Sequence, residues 1–145
     1  MPTGRGKAGM LEAQGRREFR GHADQVAAAR RFVASAFRGG RPARDVSRLL
    51  VSEAATNALL HSASGDGGSF SVEYLISDHL LRVEVHDSGG PTGPRRRVHH
   101  LESMTGRGLD LFDALSDRWG VDGTPDGWTV WFELDLAAQQ ARSSS

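Results

Sequence analysis

Two short runs, "SFSVEYLIS" at 69–77 and "LLRVEVHD" at 80–87, are separated by the dipeptide Asp78-His79. In the first, Phe70, Val72, Tyr74 and Ile76 alternate with polar residues. In the second, Leu81, Val83 and Val85 do the same. A period of two is the signature of a strand with one buried face, and a two-residue break between two such runs reads as a hairpin. A chain that commits to a hairpin in its middle must build an antiparallel sheet and cover its apolar face.

The flanking segments supply the cover. "ADQVAAARRFVASAF" repeats apolar residues at helical spacing through Val26, Ala29, Val33 and Phe37 and is expected to stop at Gly39 and Gly40. Pro42 opens a second helix, "ARDVSRLLVSEAATNALLHS", with a stripe of Val46, Leu49, Leu50 and Ala54 that the glycine-rich "SGDGG" ends. "REFRG" is a short strand ahead of the first helix. "GRGLDLFDALSDRWG" reads as a third helix from Gly106 to near Gly120, and "RWGVD" with "GWTVWFELDL" as a closing hairpin. The expected fold is α+β, a two-layer sandwich with a mostly antiparallel mixed sheet and helices on one face.

At 145 residues the chain fits one domain. Residues 1–18 and 137–145 lack apolar periodicity and are expected to be mobile ends, leaving 19–136 as the folded unit. With no cysteine, thiolate metal sites and cysteine nucleophiles are excluded. The formal net charge is zero, so no global field attracts nucleic acid or an anionic membrane. All but Lys7 of the 18 basic residues are arginine, which together with abundant Ala and Gly suggests a GC-rich bacterial genome. The amino terminus has no apolar h-region, and no run approaches the roughly 18 to 20 apolar residues of a membrane span. A cytoplasmic location is expected.

Three polar constellations stand out. In "VSEAATNALLH" a helical wheel with Val46 as zero puts Glu53 near about −20°, Asn57 near about 20° and His61 near about 60°, among the apolar stripe. A carboxylate there needs a partner, a ligand or an ion. An arginine pairing with Glu53 and a loop tied by Asn57 would also satisfy the pattern, and His61 reads as structural. In "HDSGG", Asp87 ends a strand and glycines follow, which suits either a ligand approaching the backbone or an ordinary turn. In "TGRGLDL", glycines flank Arg107 at a helix start, where free N–H groups and the helix dipole favour phosphate; a flexible helix start explains it equally.

In this order, with "GWTVWFEL" following, the three constellations resemble the Bergerat-fold ATPases, the superfamily of DNA gyrase, heat-shock chaperones and histidine kinases. Within it the chain is most similar to the small anti-sigma-factor serine kinases. The resemblance spans about residues 19 to 136.

The resemblance implies roles residue by residue. Glu53 stands where the family has its proton acceptor, and Asn57 where an amide oxygen binds the Mg²⁺ that bridges the ATP phosphates. Asp87 matches the aspartate that accepts from the adenine amino group, Gly89 the glycine that lets the base lie close, and Thr129 a threonine near that aspartate. Gly106, Arg107, Gly108 and Leu109 match the loop and helix start that cover the phosphates. Gly90 to Thr105 would form a mobile lid. The chain departs from the family where Trp128 lies between Gly127 and Thr129, and its lid carries Arg95, Arg96 and Arg97 with His99 and His100. These arginines suit either a solvated loop or contact with phosphate or an acidic partner.

The function implied is that of an ATP-dependent serine kinase that phosphorylates a small anti-anti-sigma partner of the STAS type. It would regulate transcription by sequestering a sigma factor, with homodimerisation possible. The alternative is a nucleotide-responsive binding module with little or no phosphotransfer. A histidine kinase is disfavoured because no phosphoacceptor helix pair is visible. Nucleic-acid binding is disfavoured because the aromatics sit at strand positions rather than amid a basic surface.

Overall fold

A computed structural model describes residues 11–36, 40–61, 68–87, 107–124 and 127–138. Its elements are β1 (Leu11–Arg20), α1 (Asp24–Ala34), α2 (Arg41–His61), β2 (Ser69–Ser77), β3 (Leu80–Asp87), α3 (Arg107–Leu115), β4 (Arg118–Thr124) and β5 (Gly127–Asp135). The five strands form one sheet in the order β1-β2-β3-β5-β4, and every pairing among them is antiparallel. The α+β sandwich expected from the hairpin signals is the observed fold. Its sheet is antiparallel throughout the described strands rather than mixed.

Alternation divides the sheet into two faces. Phe70, Val72 and Ile76 of β2, Leu81, Val83 and Val85 of β3, and Val130, Phe132 and Leu134 of β5 are buried beneath the helices. α1 covers the β1–β2 side, where Phe32 meets Phe19 at 5.9 Å and Tyr74 at 5.1 Å between ring centroids. α3 covers the other side through Phe112, 6.1 Å from both Phe132 and Trp119. α2 lies between them over β3. The hairpin turn works because Asp78 takes φ 56°, a left-handed conformation that Asp tolerates better than most residues.

Several boundaries differ from the sequence expectation. β1 begins at Leu11, inside the segment expected to be mobile, and pairs with β2 up to Leu11↔Ser77. Its side chains are mostly exposed and polar, so pairing rests on the backbone and leaves no apolar rhythm to read. α1 stops at Ala34 with Ser35 as its cap, short of the two glycines. α3 ends at Leu115, because Arg118 and Trp119 already pair with β5.

The stripe of α2 also sits elsewhere than expected. Ala43, Ser47, Leu50, Val51, Ala54, Ala55 and Ala58 are buried, whereas Leu49 is 42% exposed. On the same wheel the buried arc runs from about 40° to about 180°. Five of these seven are Ala or Ser, and a pattern read on large aliphatics misses them. The buried Ser47 hydroxyl is satisfied by donating to the Arg44 carbonyl at 2.9 Å.

Candidate functional site

Glu53 and Asn57 therefore lie on the rim of the buried stripe of α2, not in its middle, and both are half-buried. Which way that rim faces follows from the neighbours. Ser52, on the opposite rim, accepts a hydrogen bond from Arg30 Nη1 of α1 at 3.0 Å. With α1 on one flank and the sheet below, the flank bearing Glu53 and Asn57 turns toward the side of the sheet that α3 covers.

Asp87 ends β3 and pairs with Phe70 at the start of β2, the strand that follows α2 in the chain. α3 must deliver its last residues to β4 at Arg118, which pairs with Glu133 at the far end of β5. Asp87 marks the opposite end of the sheet. The start of β5 is there too: the Asp87 Oδ1 accepts a hydrogen bond from the Trp128 backbone N–H at 3.0 Å. Gly127, buried beside it, has φ 150°, a backbone conformation that glycine adopts and L side chains rarely do.

Thr129 does not join this group. β5 alternates, so Trp128, Val130, Phe132 and Leu134 follow one another on the helix-covered face and Thr129 points to the opposite one. There its Oγ1 sits 2.7 Å from His86 Nδ1. Residue 128, not 129, neighbours Asp87 on the helix-covered face. The alternation "WTVWFEL" contained that signal. Gly89, Gly106 and the lid from Gly90 to Thr105, with Arg95 to Arg97, lie outside the described residues. So do the side chains of His61, Arg107 and Leu109; Gly108 lies in the first turn of α3.

The residues present fit a nucleotide with its cation. The Asn57 Nδ2 is buried and finds no hydrogen-bond partner among the described residues. A buried amide without a partner is costly, and its two ends are related by a simple flip. Turned over, it presents Oδ1, the oxygen ligand that Mg²⁺ prefers. Acceptance from Trp128 does not exhaust the Asp87 carboxylate, which offers about four lone-pair directions. A cleft of about 480 Å³ lined by Val26, Arg30, Thr56 and Leu59 lies on the α1 flank of α2, away from these residues.

The face of the sheet opposite to the described helices is charged. Arg82 donates to Glu84 Oε2 and to Glu133 Oε2, each at 2.9 Å, and its guanidinium lies 4.3 Å from the Trp131 ring. His86 Nε2 stands 3.3 Å from Glu84 Oε1. His86 foremost, with Arg82, holds the Glu84 carboxyl at about 2 against the opposing effect of burial. No helix among the described residues is long and apolar enough to cross a membrane.

The chain is similar in sequence to known proteins. A model of the histidine kinase-like ATPase domain matches residues 19–134. The chain is 37% identical over 82 residues to a serine-protein kinase RsbW of Listeria monocytogenes, covering 48% of this chain and 52% of that protein. It is 31% identical over 97 residues to the RsbW of Bacillus pumilus, covering 57% and 59%. The chain thus spans about half to three fifths of the length of these relatives. From the order of its elements and the match over residues 19–134, the chain belongs to the histidine kinase-like ATPase domain family.

Proposed function

We propose that this protein binds ATP with Mg²⁺ and transfers the γ-phosphoryl group to a serine of a small anti-anti-sigma protein. In the unphosphorylated partner's absence it holds a sigma factor, and so regulates transcription in the bacterial cytoplasm. The reading is supported by the buried Asn57 amide, which has no hydrogen-bond partner among the described residues, and by the Asp87 carboxylate held at the end of β3 by the Trp128 N–H at 3.0 Å. The names of the similar RsbW proteins, serine-protein kinases, support the choice of reaction.

Each residue has a chemical task. Asp87 accepts the adenine amino group while its bond to the Trp128 N–H holds the carboxylate in place. Asn57 offers its amide oxygen to the cation, which when bound neutralises charge on the phosphates. By the family resemblance, Gly89 would lie against the base and Gly106, Arg107, Gly108 and Leu109 would bind the phosphates, to which backbone N–H groups and the helix dipole at a helix start are suited. Glu53, one turn from Asn57, takes the proton of the partner serine as its oxygen bonds to the γ-phosphorus and the bond to the departing ADP breaks. Thr129 acts on adenine only through the backbone of β5, because its side chain faces the other way.

The test is a phosphotransfer assay with radiolabelled ATP against candidate partners, wild type beside Glu53→Gln. Phosphoserine on the partner with wild type, reduced about 100-fold or more in Glu53→Gln with ATP affinity retained, is the expected result. Tight ATP binding and ATP-dependent complex formation without transfer would replace the kinase by a nucleotide-responsive binding module. Absence of nucleotide binding would sink both.

A further inference from the structure

On the face of the sheet opposite to the described helices, Glu73 of β2 and Glu84 and His86 of β3 each offer a ligand atom, and these atoms lie within 4.8 Å of one another. We propose that they form a binding site for a divalent transition-metal ion of the zinc type, separate from the nucleotide site.

Three features carry the proposal. The first is spacing. His86 Nε2 is 3.3 Å from Glu84 Oε1 and 3.8 Å from Glu73 Oε1. Tetrahedral ligands bound at about 2.0–2.1 Å stand about 3.3 Å apart, so an ion fits between these atoms with small side-chain movements. Strand register produces the cluster: Glu73 pairs directly with Glu84, and His86 follows Glu84 on the same face.

The second is orientation. His86 Nδ1 is 2.7 Å from the Thr129 hydroxyl. With Nδ1–H donated to that oxygen, the lone pair of Nε2 points toward the two carboxylates, the outer-sphere arrangement that readies a histidine for a metal. The third is that Nε2 is itself buried and has no aligned hydrogen-bond partner, although carboxylate oxygens lie close. In that tautomer the Nε2 lone pair faces two carboxylate oxygens, and a cation between them takes the place of the proton by which His86 faces Glu84 in the metal-free protein.

Surrounding charge leaves the site available. Arg82 occupies Glu84 Oε2, not Oε1, and divides its charge with Glu133. Arg16 is 3.9 Å from Glu73 Oε1, and its side chain is 60% exposed, so it can withdraw into water. The nitrogen ligand sets the class of ion: imidazole with carboxylates suits Zn²⁺ and its transition-metal neighbours, whereas Mg²⁺ prefers oxygen alone. The site lies on the face opposite to α2, so it stands or falls independently of the nucleotide reading.

Calorimetric titration of the chelator-treated full chain with ZnCl₂, in excess Mg²⁺, tests this. Wild type is expected to bind one Zn²⁺, with affinity lowered about tenfold or more in Glu73→Gln and His86→Ala and about 10- to 100-fold in Thr129→Val. His79→Ala, at the exposed hairpin turn, should bind like wild type. Glu73 is well exposed, so Glu73→Gln keeps the fold and carries the test even if His86→Ala does not. No saturable binding, or binding undiminished in Glu73→Gln and His86→Ala, overturns the proposal.

Discussion

The Asp87 carboxylate accepts a hydrogen bond from the Trp128 backbone N–H at 3.0 Å, joining the last residue of β3 to the start of β5. The contact closes the sheet where the chain leaves for the α3 segment, and it aims the one carboxylate to which adenine recognition is assigned. A single side chain thus serves the fold and the proposed site together.

Asp87→Ala should therefore fail twice. Loss of a charge-assisted hydrogen bond costs about 1.5–3 kcal/mol of stability, and nucleotide affinity falls to the limit of detection. Asp87→Asn keeps an acceptor for Trp128 and separates the two effects. Denaturant unfolding and ATP titration on both variants should show Asn near wild type in stability and near Ala in binding.

Asn57→Ala should behave in the opposite sense. Its Nδ2 is buried and unpartnered among the described residues, so truncation removes an unmet donor along with some packing. Unfolding free energy is expected to change by less than about 1 kcal/mol. Dependence of ATP binding on Mg²⁺ should disappear. A destabilisation of several kcal/mol would show that the amide holds the structure together instead.

Glu84 makes a pH prediction for the metal-free protein. His86 and Arg82 depress its carboxyl from 4.5 to about 2. A depressed folded-state value means that the stabilisation is fully present above about 4.5 and lost as pH falls from there through about 2. Thermal midpoints followed over that window in chelator should drop less steeply in Glu84→Gln than in wild type. Equal slopes would contradict the assigned interactions.

Gly120 faces Trp131 across β4 and β5, and a Cβ there would come within 2.6 Å of the indole Nε1. The ring cannot yield freely, since Arg82 packs on it at 4.3 Å. Gly120→Ala is expected to cost about 1–3 kcal/mol through overpacking, and a combined Gly120→Ala, Trp131→Val variant should recover most of it. Denaturant titration of the three proteins reads both numbers.

Local patterning alone determined the hairpin of β2 and β3, the length of α2 and the α+β class, because periods of two and 3.6 record which side of each element is apolar. It also brought Glu53, Asn57 and Asp87 forward as polar residues where apolar ones were due. Four features needed the tertiary structure. The extension of β1 from "REFRG" back to Leu11 was invisible because its partnership with β2 is made by backbone groups under polar side chains. The true centre of the α2 stripe depended on alanines and Ser47, which become core residues only when a sheet is pressed against them. The separation of Thr129 from Asp87 depended on which face of β5 the helices cover, and the meeting of Glu73, Glu84 and His86 on the register between β2 and β3. Periodicity reports the faces of an element, but which face meets which neighbour is settled by packing between segments far apart in the chain.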